Sequence, residues 1–321
     1  MNFTKRNHFN PCFWTANWNP SYFANVLSTA SRNMRAREQR VYVLNVKSAG
    51  IYETTVENVH YDKDLGVAEM TPDDMRDFCK RHHPDRYEQF CRDIATQPES
   101  LFLNFEDILT GMENGPAYAA LKNVIAKQGI RAPHEKAMIA GFIVVHWLRS
   151  HAMMKAMLEW SNELGIKKFE YFIKLKHKLG DPHFLFPLVM TIAPFHWHYY
   201  RMRKDCFPLN DSPILINEKN VMLALSPRLM LEIDRTRKQP EASISYSNYI
   251  APETMSEFRR RTISCTFREI IFSSPMLLEE WRDTEEFRNR HKLMKSTTRY
   301  NEMVAKDGNK ELWNVNALMN R

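Results

Sequence analysis

Between Phe195 and Asp234 the chain reads FHWHYYRMRKDCFPLNDSPILINEKNVMLALSPRLMLEID, a succession of short strands in a sequence that elsewhere patterns mostly as helix. In its first part His196, His198, Tyr200 and Met202 fall on one side and Trp197, Tyr199, Arg201 and Arg203 on the other, the period of two that a pleated strand requires. Asn210-Asp211-Ser212-Pro213 is a polar break between two apolar runs. Asn217-Glu218-Lys219-Asn220 is a hairpin-type connection between Ile214–Ile216 and Val221–Leu225. Ser226-Pro227 interrupts the pattern, so Arg228–Asp234 is expected as an edge strand, where a proline is tolerated. Residues 236–248 read as a polar loop.

The rest of the chain supplies the layer against which such a sheet must pack. Residues 1–35 carry the aromatics Phe13, Trp14, Trp18, Tyr22 and Phe23, expected to anchor this segment on the body. Arg40–Val46 and Ile51–Asn58 are rich in β-branched residues and flank Ser48-Ala49-Gly50, which predicts a hairpin over about 40–58. Thr71-Pro72-Asp73-Asp74 is a helix start, with Thr71 as N-cap, and a second short helix begins near Pro84. From Pro98 to Gln128 the helical pattern is interrupted by Gly111, Gly115 and Pro116. Pro133 opens the longest predicted helix, running to about Leu164 with Gly165 as its stop. It is apolar on nearly every side between Ala137 and Leu148, so it is expected to be central and buried. Lys168–Leu179 is amphipathic. Pro252 begins a helix to about Phe272, and Ser274-Pro275 another to about Lys295.

These elements predict an α+β fold: a mainly helical body over about 71–180 around a long central helix, with a small antiparallel sheet at 195–234. The hairpin at 40–58 either joins that sheet or stands apart, and the C-terminal helices lie at 252–295. The expectation is a single domain over 1–295 and a tail at 296–321. Only 9 glycines in 321 residues favour long helices over a loop-rich sandwich.

Lys plus Arg number 45 against 38 Asp plus Glu, a net charge of +7. That balance suits an anionic partner such as nucleic acid, and equally a basic, solvated surface. The five cysteines form no CxxC pair and their number is odd, which fits buried thiols in a reducing compartment. The opening MNFTKRNHFNPCFW lacks the apolar core of a signal peptide. The most apolar run, Ala137–Leu148, is too short to span a bilayer. The expectation is a cytoplasmic protein with no membrane partner. No spacing identifies a cofactor, a metal or an oligomeric state, and Walker, GxGxxG, GxSxG, HExxH and kinase signatures are absent.

Several blocks occur in a characteristic order. They are Asn7-His8-Phe9-x-Pro11 followed by aromatics, Trp147-Leu148-Arg149 at an apolar helix end, Asn210-Asp211-Ser212-Pro213, Leu225-Ser226-Pro227-Arg228, and Thr262–Phe272. In that order they resemble a bacterial domain-of-unknown-function family, over residues 7 to about 272. The resemblance implies a shared fold and no particular activity. Asn210 stands where that family usually has serine.

Three residues emerge as candidates for chemistry. His8 is suited to acid–base work or metal ligation, or to capping backbone groups and pinning the N-terminal segment. Asp211 is suited to binding a metal or taking a proton, or to accepting backbone N–H bonds in an Asx turn ahead of Pro213. Arg149 follows the apolar run of the long helix and needs a partner if buried: a substrate phosphate, or Asp211, Glu113 or Glu106. The spacing of His196-x-His198 is one that metal sites use, without a third ligand, and aromatic-flanked surface histidines are the plainer reading. His82-His83 read as an exposed helix end and Arg259-Arg260-Arg261 as a solvated face. Two functions follow: a nucleic-acid-directed effector of nuclease type using His8, Arg149 and Asp211, or a non-enzymatic binding or scaffold protein in which these residues are structural. His8, Arg149 and Asp211 are expected to cluster in either case, because a buried polar group needs a partner.

Overall fold

The computed structural model describes residues 7–296 apart from 29–32, 63–66, 96–99, 105–114, 131–132, 239–243 and, within 151–164, all but 153, 154, 158 and 162. In chain order the strands are β1 (Asn7–His8), β2 (Arg40–Asn45), β3 (Ile51–Thr55), β4 (Tyr61–Asp62), β5 (Val67–Met70), β6 (Leu101–Asn104), β7 (Phe195–Arg201), β8 (Leu209–Asn210), β9 (Leu215–Ile216), β10 (Asn220–Ser226), β11 (Leu229–Lys238), β12 (Ile244–Ser247) and β13 (Glu269–Phe272). The longer helices include Pro72–His82, Pro116–Lys127, Pro133–Arg149, Lys168–Gly180, Pro182–Met190 and Pro252–Cys265. Each of these but Lys168–Gly180 opens on proline, whose fixed φ and missing N–H suit a first turn. Thr71 and Asp74 close a capping box, each side chain accepting from the other's backbone N–H.

The largest sheet has five strands in the order β12-β7-β11-β10-β9. Its pairs are antiparallel except that β12 runs parallel to β7. A second sheet has four strands in the order β3-β2-β13-β8. Two-stranded ribbons join β1 to β4 and β5 to β6. Along β7 the residues Phe195, Trp197 and Tyr199 are buried and His196, His198 and Tyr200 half-buried, so the alternation of the sequence is the alternation of the sheet. The main apolar core runs from Trp14 and Trp18 through both large sheets to Trp281. A smaller core gathers Phe9, Val145, Phe169, Phe172, Leu175 and Leu179. The helix Pro133–Arg149 contributes to both.

The mixed α+β architecture holds, but the long central helix is not shown. The described helix ends at Arg149, where Ser150 N–H makes a tight bond to Trp147 O. Ser150 Oγ bonds the same carbonyl at 2.9 Å and accepts from Met153 N–H at 3.4 Å. A serine that competes for backbone groups in this way ends one helix and caps the next turn.

The sheet is larger than expected and not purely antiparallel, because residues 244–247 of the presumed polar loop form β12. Residues 229–234 lie in β11, between β10 and β7, rather than at an edge. The helix expected to run to Phe272 stops at Cys265, and Glu269–Phe272 becomes β13, which joins the N-terminal hairpin to β8. Glu106 and Glu113 lie outside the described residues.

All five cysteines are free. A reducing agent is therefore expected to leave the melting temperature unchanged, and thiol titration of the unfolded chain should count all five; a lower count would reveal a disulfide.

Candidate functional site: a buried polar network under the N-terminal segment

The N-terminal segment is fixed before any polar network is considered. The buried indoles of Trp14 and Trp18 donate to Leu225 O at 3.0 Å and Phe207 O at 2.8 Å, tying residues 12–18 to the strand region. Just before them, β1 pairs with β4, and Phe9 N–H donates to His60 O at 2.8 Å. His60 sits at φ 50°, an uncommon conformation for a non-glycine residue. The surroundings hold it there from both sides. Its N–H donates to Glu269 Oε2 at 3.0 Å, and its Nε2 reaches Glu269 O at 3.2 Å.

Asn10, 1% exposed, is the hub, and its geometry fixes every proton around it. Asn10 Nδ2 lies 2.9 Å from Asn210 O, a carbonyl that only accepts, so the amide orientation is set. The other Nδ2 hydrogen then points at His60 Nδ1, 2.7 Å away, which must be the bare nitrogen. His60 therefore carries its proton on Nε2 and donates to Glu269 O. On the other side Asn10 Oδ1 faces His146 Nε2 at 3.0 Å, so His146 is also the Nε2–H tautomer. Burial, with Arg149 and His60 nearby, holds the His146 pKa well below its ordinary value. Burial lowers that of His60 as well, against the pull of Asp211 and Glu269. Both rings are neutral wires between backbone and amide groups. At the outer edge the half-buried hydroxyl of Tyr52 donates to Glu269 Oε1 at 3.0 Å, and its pKa is raised by burial and by that carboxylate.

His8, Arg149 and Asp211 sit on the flanks of this network, 7%, 2% and 1% exposed. His8 Nε2 donates to Glu57 O at 3.2 Å, and burial pushes its pKa down to about 4. Arg149 donates to His8 O at 2.6 Å and to the Tyr118 hydroxyl at 3.0 Å. Asp211 Oδ1 accepts from Phe267 N–H at 2.9 Å, and its Oδ2 accepts from Arg268 N–H at 2.5 Å and Glu269 N–H at 3.2 Å. The Asp211 carboxylate thus turns the chain from the helix Pro252–Cys265 into β13.

His8 and Arg149 are joined directly, through the backbone carbonyl of His8 rather than its ring. Asp211 touches neither; it reaches them through Asn210, on which Asn10 is hung, and through Glu269. The Asx turn toward Pro213 is replaced by bonds to a segment more than fifty residues further on.

Sequence reasoning passed over Asn10 as a partner, and over His60, His146, Tyr118 and Glu269. His146 had a readable signal, since it lies three residues before Arg149 on a buried helix. His60 and Glu269 had none, because both owe their place to pairings between distant segments.

The other candidates separate cleanly. His196 Nε2 and His198 Nδ1 converge on Ser245 Oγ at 2.8 and 2.6 Å. Among the described residues no group of three or more His, Cys, Asp or Glu is placed to hold a metal. Arg261 is not part of a solvated face: it is 5% exposed and donates to Asn220 Oδ1 at 2.6 Å and to Leu215 O. Arg260 is exposed and pairs with Glu257. His82 ends its helix beside Phe78, with the ring centroids 4.6 Å apart.

No family model, curated protein or solved structure matches the chain. The likeness carried by Asn7–Pro11, Asn210–Pro213 and Leu225–Arg228 remains a likeness of motifs.

Proposed function

We propose that this chain is a non-enzymatic binding or scaffold protein in which His8, Arg149 and Asp211 are structural. The supporting observation is the Asp211 carboxylate, whose two oxygens are turned inward onto three backbone N–H groups. A carboxylate that binds a metal or takes a substrate proton needs an oxygen that the substrate can reach. His8, with its pKa near 4, is also a poor base at neutral pH, where catalytic groups are tuned close to 7.

The competing reading, a nucleic-acid-directed effector of nuclease type using the same three residues, draws on the net charge of +7. Asp211→Asn separates the two. The amide turns a donor toward backbone donors and loses charge-assisted bonds, an expected cost of about 2–4 kcal/mol. Spread over 321 residues, at about 2.1 cal/mol/K per residue, that lowers the melting temperature by roughly 3–6 °C. The wild-type chain is expected to cleave neither DNA nor RNA with Mg²⁺ or Mn²⁺ at low salt. A wild-type cleavage activity that Asp211→Asn abolishes at unchanged melting temperature would overturn the proposal.

A further inference from the structure

No helix among the described residues is long and apolar enough to cross a membrane. Contact with a membrane surface is a separate question, and the helical pair Lys168–Gly180 and Pro182–Met190 bears on it. The first helix buries Phe169, Tyr171, Phe172, Leu175 and Leu179 in the smaller core. It leaves Lys174, Lys176, His177 and Lys178 exposed. The turn at Asp181 then caps the second helix, Asp181 Oδ1 accepting from His183 N–H.

In the second helix Leu188 is buried and Phe184, Leu185 and Val189 are half-buried. The outer stripe is His183, Phe186, Pro187 and Met190, spaced three or four apart and so on one face. Phe186 is 64% exposed and Met190 45%. A surface helix ordinarily turns polar residues outward. This one is apolar on both sides, and across the turn at Asp181 it follows a helix that exposes Lys174, Lys176 and Lys178.

The charges are also left uncompensated. Lys174 and Lys178 are an i,i+4 like-charge pair, an arrangement that destabilises a helix. Glu170, one turn before Lys174, is taken by Arg81 at 2.5 Å. Among the described residues no carboxylate forms an ion pair with Lys174, Lys176 or Lys178. Lys178 Nζ instead lies 5.1 Å from the centroid of the Phe184 ring.

We propose that this helical pair docks on an anionic lipid surface, with Phe186 and Met190 entering the boundary between headgroups and acyl chains while Lys174 and Lys178, which share one helix face, meet the anionic headgroups. The inference rests on the reading of the chain as a binding protein and names its partner. Lipid fits better than nucleic acid because the exposed cations between 174 and 178 are lysines without an arginine fork, and Pro187 and Met190 offer nothing to a base edge. Apolar side chains rimmed by lysines are what an interfacial helix presents to acidic lipid.

Vesicle flotation tests the proposal with the full chain. Binding is expected to phosphatidylcholine vesicles containing phosphatidylserine, to weaken with salt, and to be lost on pure phosphatidylcholine. Lys174→Glu with Lys178→Glu, and separately Phe186→Ser with Met190→Ser, are each expected to lower the partition about tenfold or more. All four side chains are exposed, so the melting temperature should not move. Absence of binding to the acidic vesicles, equal binding to pure phosphatidylcholine, or variants that bind like the wild type would overturn the proposal. Retention of RNA or DNA by these same residues, with vesicles unbound, would replace the partner with nucleic acid. Nuclease activity that depends on Asp211 would defeat the parent reading while leaving vesicle binding as measured; absence of both activities would defeat this inference alone.

Discussion

Asn10→Leu is expected to lower stability by about 3–9 kcal/mol, because one substitution leaves three buried groups without partners at about 1–3 kcal/mol each. Leucine keeps the branching of asparagine, but its methyls need about 3.5–4 Å where the amide atoms sit at 2.7–3.0 Å from their partners, so overpacking adds to the chemical loss. It strips the donors from Asn210 O and His60 Nδ1 and the acceptor from His146 Nε2–H. None of these groups can turn to water: Asn210, His60 and His146 are 2%, 2% and 0% exposed. Against a total stability of about 5–15 kcal/mol, a loss of that size brings the chain near its unfolding threshold. Urea denaturation measures it. A cycle with His146→Leu isolates one arm, and the double variant should lose less than the sum of the single losses, since it leaves fewer orphaned groups. A loss below about 1 kcal/mol for Asn10→Leu would mean that the amide does not organise this region.

What the sequence disclosed about this region follows from where the information sits. The alternation of β7 is local, and the pleat reproduces it residue by residue. The Thr71 cap is local too and forms as read, and the structure adds Asp74 as its reciprocal partner. The strand β13 is not local. Ile263, Ser264 and Cys265 continue a helix comfortably, and what stops it is the Asp211 carboxylate collecting the N–H groups of residues 267–269. No window around residue 270 contains that aspartate.

The same limit shaped the candidate site. Buried polarity pointed to His8, Arg149 and Asp211 as residues in need of partners, and each has them. The partners are largely backbone atoms, His8 O and Glu57 O among them. Every residue carries such atoms, so their position belongs to the fold and not to any motif. Ser150 is the converse: a single side chain, readable in place, at the position where the described helix stops, after Arg149 rather than at about Leu164.

Acid should destabilise this protein before its carboxylates are titrated. An imidazole in the unfolded chain titrates near 6.5. Burial lowers the pKa of His60, holds that of His146 well below 6.5, and sets that of His8 at about 4. Below pH 6.5 the unfolded chain therefore binds protons that the folded chain refuses, and stability falls as pH falls. For His8 the loss stops growing once pH reaches about 4, where the folded ring is protonated too. His8, with its folded pKa at about 4, removes about 2 kcal/mol between pH 7 and pH 5, and His60 and His146 add losses of the same sign. Urea midpoints at pH 7, 6 and 5 measure the slope. His146→Gln keeps a donor for Asn10 Oδ1 and removes one titrating ring, so it should flatten that slope while leaving the midpoint at pH 7 much closer to wild type than Asn10→Leu does. A wild-type stability that is flat from pH 7 to 5, or a His146→Gln variant as acid-sensitive as the parent, would mean that the rings are not held neutral.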